Sequence, residues 1–358
     1  MWENAKNILC VRLDSMGDVL MTTPALKALK EALPGRRITL LTSKSGAQTA
    51  RLIPEIDDIV IYNAPWMKLP LPPADSRGDY LMAARLEQSG FDAAVIFTVY
   101  SQSPLPTAFL CHLAGIPLRL AYSRENPYYL LSDWVKETEP DSGIRHEVQR
   151  QLDLVKTIGC QAEDESLSLQ VPLGAEKRVT SKMEKLGIQL DRPWIVIHPG
   201  ATADSRRYPA ENYTSVARSL VLDHNLQILF TGSRSEAPLV RQIQTDMGVS
   251  SSSLAGELDL GELAALIDLA PLLVTNNTGP AHIAAAVGTN VLVLYALTNP
   301  QHTPWMVPSR VLFHDVPCKF CYKSICPEGH KNCLTMVQPK KVVEAALELL
   351  EKFVAIVP

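Results

Sequence analysis

The chain has no basic excess: 34 Lys and Arg stand against 38 Asp and Glu in 358 residues, a formal net charge of −4. A protein that grips nucleic acid by neutralising phosphates carries a basic stripe, so DNA and RNA are excluded as the principal partner. No run approaches the ~20 apolar residues that span a bilayer. Even the apolar region 263–297 is cut by Asp268, Asn276, Asn277 and Pro280. The first apolar run, 8–13, contains Arg12 and is followed by Asp14 and Asp18, which is not the pattern of a secretory signal, so export is not expected. Internal repeats and low-complexity tracts are absent. Also missing are an Asp-x-Asp pair at a strand end and the closely spaced glycines of a dinucleotide fingerprint, which argues against a nicotinamide dehydrogenase.

What is present is ordinary globular material, 46% hydrophobic, in a chain longer than one hydrophobic core usually supports. Apolar, β-branched runs at 8–13, 38–42 and 93–97 alternate with helix-period segments such as 18–33. After a polar, acidic passage at 161–176 the pattern restarts, with strands expected at 194–198, 227–231, 272–275 and 291–295. Near-continuous apolar strands separated by helices predict parallel sheets covered on both faces. The expected class is α/β, with two Rossmann-like domains, 1–173 and 174–337, a ligand cleft between them, and an amphipathic helix within 338–358 docked on the body. A Pro-rich stretch at 65–73 reads as a cleft-lining or lipid-touching loop, or as a plain surface connector.

Three segments lie at strand-to-helix turns, where open α/β sheets place their ligands. The first, beginning at Arg12, carries Ser15-Met16-Gly17-Asp18. Asp18 at the head of a helix is either a functional acid or a simple helix cap. The second runs from His198 through Gly200 and Thr202 to Arg206-Arg207. Gly200 permits close backbone approach, and adjacent guanidinium forks suit phosphate oxygens, although a solvated basic loop reads the same way. The third holds Asn277-Thr278-Gly279-Pro280 and His282. Exposed N–H groups at such a helix start form an anion site, while a histidine there is more often packed than functional.

Together these segments resemble glycosyltransferase family 9, the ADP-heptose:lipopolysaccharide heptosyltransferases, over essentially the whole chain. The motifs that carry the resemblance are the Met-Gly-Asp turn with its Thr-Thr-Pro-Ala-Leu helix, the His-Pro-Gly-Ala loop ending in Arg-Arg-Tyr-Pro, and Thr-Asn-Asn-Thr-Gly-Pro-Ala-His. The resemblance implies a GT-B fold, an N-terminal acceptor side with Ser15, Met16 and Gly17 near it, and inverting, metal-independent transfer with no required cofactor. Asp18 would be the catalytic base. Gly200, Thr202, Arg206, Glu236, Asn277, Thr278, Gly279 and His282 would bind the donor, ADP-heptose. Glu236 is a looser match, and Asn277 stands where relatives often carry Asp. The implied acceptor is a lipid-linked saccharide, met in the cytoplasm or at the inner face of the inner membrane. Two rival readings are a family 9 enzyme with another nucleotide sugar or acceptor and a non-catalytic sugar-nucleotide binder.

Four cysteines, Cys318, Cys321, Cys326 and Cys333, cluster with His330 within sixteen residues. This set could hold a structural zinc ion, form disulfides, or remain as reduced thiols.

Overall fold

The computed structural model describes residues 2–68 and 75–354, of which 352–354 by backbone alone. The part of the Pro-rich stretch from 69 to 73 lies outside the described residues. The chain divides into two compact units, 1–169 and 170–358.

The first unit runs β1 (Asn7–Arg12), α1 (Met16–Ala32), β2 (Arg37–Thr42), α2 (Lys44–Ala50), β3 (Asp58–Ile61), α3 (Arg77–Gln88), β4 (Ala93–Ile96), α4 (Leu105–Leu113), β5 (Leu118–Ser123), β6 (Asp133–Lys136) and α5 (Glu147–Lys156). Its strands are parallel in the order β3-β2-β1-β4-β5-β6. The central strands β1 and β4 are buried almost throughout, because helices cover both faces. Leu9, Val11, Ala94 and Ile96 turn to one apolar cluster, while Ile8, Cys10, Ala93 and Val95 turn to the other. This two-sided burial is why the strands read as apolar runs rather than alternating ones.

The second unit repeats the plan: α6 (Ala175–Lys185), β7 (Trp194–His198), α7 (Ala210–Leu222), β8 (Gln227–Phe230), α8 (Ala237–Met247), β9 (Ser252–Ser253), α9 (Leu260–Leu269), β10 (Leu273–Asn276), α10 (Gly279–Val287), β11 (Val291–Leu294), β12 (Ser309–Leu312), α11 (Asn332–Thr335) and α12 (Pro339–Val354). Its parallel order is β12-β11-β10-β7-β8-β9. In each unit the chain reverses its direction of travel across the sheet at one place, between β1 and β4 or between β7 and β10. Crevices at the carboxyl ends of such strands are where open α/β sheets bind ligands. Helix α12 packs on α7 within the second unit, and Val342, Ala346 and Leu349 enter its core.

Helix α1 explains why Thr-Thr-Pro can sit inside a helix. Pro24 has no N–H to give the Leu20 carbonyl, so that carbonyl would be orphaned. The Thr23 hydroxyl donates to it instead, at 2.7 Å, and the Thr22 hydroxyl donates to the Asp18 carbonyl at 2.8 Å. Thr23 Oγ1 also accepts from the Ser168 N–H at 2.9 Å, so one side chain repairs the helix and ties down the last segment of the unit. Among the described residues no helix is long and apolar enough to cross a membrane.

Candidate functional site

In the first unit the chain leaves β1 at Arg12 and enters α1 at Met16, two residues before the helix start expected at Asp18. Ser15 is the N-cap and Asp18 the third helical residue, and the pair forms a capping box. Asp18 Oδ2 accepts from the Ser15 N–H at 3.0 Å and from the Ser15 hydroxyl at 2.6 Å. Its Oδ1 accepts from Arg12 Nη2 at 3.2 Å. The cap reading of Asp18 is therefore realised, and a fully buried guanidinium is added to it. Met16 is half-buried and Gly17 buried in the first turn.

Arg12 serves more than one carboxylate. Its Nε lies 3.0 Å from Asp14 Oδ2 and its Nη1 2.8 Å from Glu147 Oε1. Gln151 donates to the same Glu147 oxygen at 2.7 Å, and Gln102 donates to Asp14 Oδ1 at 2.6 Å. Three carboxylates thus share one cation in a poorly solvated place. The strain falls on Asp14: burial pushes its carboxyl up to about 6, with Asp18 and Glu147 adding to the rise and Arg12 and Gln102 opposing it. Arg12 is held protonated, because its three carboxylates outweigh the burial penalty. Beside Asp14, at the β1–β4 crevice, opens a cavity of about 480 Å³ whose lining includes Leu13, Asp14, Trp66, Lys68, Phe97 and Gln102.

In the second unit the turns after β7 and β10 are laced together by Asn276. Its Nδ2 donates to the carbonyls of Pro199 and Gly200 at 2.8 and 3.1 Å. Its Oδ1 accepts from the Tyr208 N–H at 3.1 Å and the Tyr213 hydroxyl at 3.2 Å. All four hydrogen bonds of a buried amide are satisfied, so the 199–208 loop is held at both ends by one residue. Neither Asn276 nor the Arg12–Asp14–Glu147 group was singled out by the sequence reading. The available signal was a charged or amide side chain at the end of an otherwise apolar strand.

Gly200 is required sterically. A Cβ there would stand 2.1 Å from Glu236 Oε1. The Glu236 carboxylate is fixed by the Ser233 N–H at 2.7 Å and lies 3.8 Å from His198 Nε2. His198 is tied to Thr231 Oγ1 at 3.0 Å, and burial pulls its pKa down against the opposing pull of Glu236. The loosely matched Glu236 is thus brought to the same turn as Gly200.

The two adjacent arginines behave differently. Arg207 is exposed and its Nε donates to the Ala201 carbonyl at 2.7 Å. Arg206 is half-buried, in the short turn Asp204–Arg206, and makes no ion pair with the described residues. Thr202 is exposed. Thr278 is the N-cap of α10 but its side chain caps nothing, and Pro280 occupies the first turn. The helix start therefore has N–H groups with no side-chain acceptor, the condition for binding an anion. Asn277 is buried, its Oδ1 accepting from the Ala296 N–H at 3.2 Å, so it anchors the turn to the end of β11. His282 is buried with its ring edge-on to His302.

All four clustered cysteines are free thiols. Among the described residues no group of three or more His, Cys, Asp or Glu is drawn together closely enough to hold a metal ion as it stands.

Comparison with known proteins places these features in a wider set. The family model described as Glycosyltransferase family 9 (heptosyltransferase) matches residues 82–332. Lipooligosaccharide heptosyltransferase 2 of Haemophilus influenzae is 26% identical over 364 residues, covering 97% of this chain and all of the relative. Lipopolysaccharide heptosyltransferase 2 of Escherichia coli K12 is 25% identical over 361 residues, covering 96% and 98%. Among solved structures, a family 9 glycosyltransferase from Veillonella parvula superposes with a TM-score of 0.78 at 22% identity, over 97% of this chain and 98% of that one. The E. coli ADP-heptose lipopolysaccharide heptosyltransferase II gives 0.73 at 23% identity, over 97% and 99%.

Proposed function

Because the chain belongs to glycosyltransferase family 9 and has the GT-B fold of two Rossmann-like units, we propose that it transfers heptose from ADP-heptose to a saccharide of the lipopolysaccharide inner core. The observation that carries the donor side is the lacing of two turns by Asn276. It assigns to one sheet edge a half-buried guanidinium without an ion-pair partner among the described residues, Arg206, and a helix start without a side-chain cap, Thr278–Gly279. A diphosphate satisfies both, with charge-assisted hydrogen bonds from the fork and N–H bonds aligned with the helix dipole. Gly200 and Glu236 would lie against the nucleoside, and His282 beside the phosphates.

In the proposed reaction Asp18 takes the proton of an acceptor hydroxyl as that oxygen bonds to the anomeric carbon. The bond from that carbon to the diphosphate oxygen breaks on the opposite face, ADP leaves, and the configuration inverts. Ser15 and Arg12 hold the carboxylate in one orientation, which supports its use as a positioned base. Charge developing on the leaving diphosphate is met by Arg206 and the α10 N–H groups, a role that divalent metal ions fill in other transferases. The acceptor side is the crevice of the first unit, where the cavity beside Asp14 is lined by Trp66, Met67 and Phe97 and offers apolar surface to the acceptor.

The test is direct. Purified protein with ADP-heptose and an inner-core acceptor lacking heptose should release ADP and yield an acceptor heavier by one heptose, by mass spectrometry. Brief EDTA treatment should leave the rate intact. Transfer from another nucleotide sugar alone overturns the donor assignment, and collapse under EDTA with recovery on Mg²⁺ overturns the metal-independent mechanism.

A further inference from the structure

The segment from the end of β12 to the start of α11, residues 313–331, contains no helix or strand. Connections of that length without structure of their own are uncommon in compact domains and are usually functional. It has little core to hold it: Val316 is buried, while Phe313, Phe320, Tyr322 and Ile325 are exposed. Its backbone is nonetheless tightly turned. Phe320 and Tyr322, on either side of Cys321, and Lys331 are non-glycine residues with φ of 61°, 54° and 50°, a region such residues occupy only when their surroundings over-determine it.

What the turns accomplish is visible in the side chains. Cys318, Cys321, Cys326 and Cys333 all face one cavity of about 20 Å³, joined by His330 and Ser205. His330 Nδ1 accepts from the Asn332 N–H at 3.0 Å, so its proton resides on Nε2, and Nε2 points at Cys318 Sγ from 4.0 Å. An imidazole N–H aimed at sulfur is the outer hydrogen bond expected around a thiolate ligand. Lys331 also lines this cavity, and its ammonium is paired with the Asp204 carboxylate at 3.0 Å.

We propose that Cys318, Cys321, Cys326 and Cys333 are the ligands of one borderline-soft divalent metal ion, of the zinc or ferrous class, and that this site sets the position of the Arg206 turn. Four thiolates in tetrahedral array suit such an ion and leave no open position, so its role is structural. The thiols surround the cavity without being at ligand spacing, so binding tightens the loop and is coupled to its folding. The turn rests directly on that loop. The Ser205 N–H donates to the Ser324 carbonyl at 3.1 Å, its hydroxyl donates to the Lys323 carbonyl at 2.8 Å, and Asp204 pairs with Lys331 at 3.0 Å. The neighbouring Arg206 is carried with them. This second part rests on the reading of Arg206 as a diphosphate ligand.

The experiment uses the full chain purified with reductant and without chelator. Elemental analysis should find about one zinc or iron ion per chain, the two being told apart by the measurement itself. Prolonged treatment with a strong chelator should release it, expose the 313–331 loop to protease, and weaken ADP binding by about tenfold, with recovery when the ion is returned. Cys321→Ser should lose the metal, and because chelation acts on the native chain, a misfolded variant does not decide the matter. Metal below about a tenth of an ion per chain in the native protein overturns the site. A stoichiometric ion whose removal leaves ADP affinity unchanged overturns the coupling. A metal-loaded protein that binds no ADP removes the donor reading and the coupling with it, and leaves the metal site standing.

Discussion

Asp18 meets Arg12 and Ser15 with different oxygens of one carboxylate: Oδ1 lies 3.2 Å from the guanidinium, and Oδ2 takes both the N–H and the hydroxyl of Ser15. The same contacts that cap α1 fix the plane of the carboxylate. Asp18→Asn keeps the shape of the cap and removes the basic oxygen. Turnover is expected to fall by ~10²-fold or more with ADP affinity nearly unchanged. Calorimetry and initial rates separate the two, and a variant with near-normal turnover would leave Asp18 only its cap.

Arg206→Ala should weaken ADP binding itself by about 2 kcal/mol, the scale of a charge-assisted contact to phosphate. Arg207→Ala should cost much less, since its guanidinium is exposed and spends its Nε on the Ala201 carbonyl. Equal losses at the two positions, or none at Arg206, remove Arg206 from the donor site.

Gly200→Ala tests the close approach of the His198 loop to α8. The new methyl would meet the Glu236 carboxylate at 2.1 Å, and that carboxylate is held by Ser233, so it must leave its place. Loss of ~1–3 kcal/mol of stability is expected, the usual cost of overpacking. Adding Glu236→Ala should recover most of it. A double variant no more stable than Gly200→Ala alone would show that the glycine is needed for its backbone and not for room.

Much of this architecture was legible beforehand because doubly covered parallel strands leave an unmistakable apolar trace. Strand 194–198 coincides with β7, and 8–13 and 38–42 fall within a residue of β1 and β2. Helix α1 starts two residues before the expected 18–33 segment, since Asp18 reads as the first acidic cap while Ser15 holds that position and Asp18 closes the capping box. Asn276 and Arg12 escaped notice for a different reason. Their importance lies in partners far along the chain, Pro199 and Tyr213 for one and Glu147 for the other, and no local pattern records which strand end will face which loop. The contrast between Arg206 and Arg207 is likewise invisible to spacing, because adjacent identical residues differ here only in burial and in one carbonyl within reach.

The crowding of Asp14, Asp18 and Glu147 around Arg12 predicts a stability that depends on pH in a defined direction. Burial raises the folded-state carboxyl of Asp14 from 3.8 to about 6, so between those values the folded chain binds a proton that the unfolded chain has released. By linkage this group favours the folded state most when it is protonated in the fold, and its contribution becomes less favourable as pH rises from about 4 through about 6. Asp14→Asn removes the ionisation while retaining an acceptor for Arg12. At pH 8 the variant should therefore gain on the wild type relative to pH 4.5, by ~1–3 kcal/mol. Denaturant unfolding of both proteins at the two pH values measures the difference, in which other titrations largely cancel. If the gap between variant and wild type is the same at pH 4.5 and pH 8, Asp14 titrates alike in the folded and unfolded chains. The three-carboxylate crowding would then not be the source of any shift.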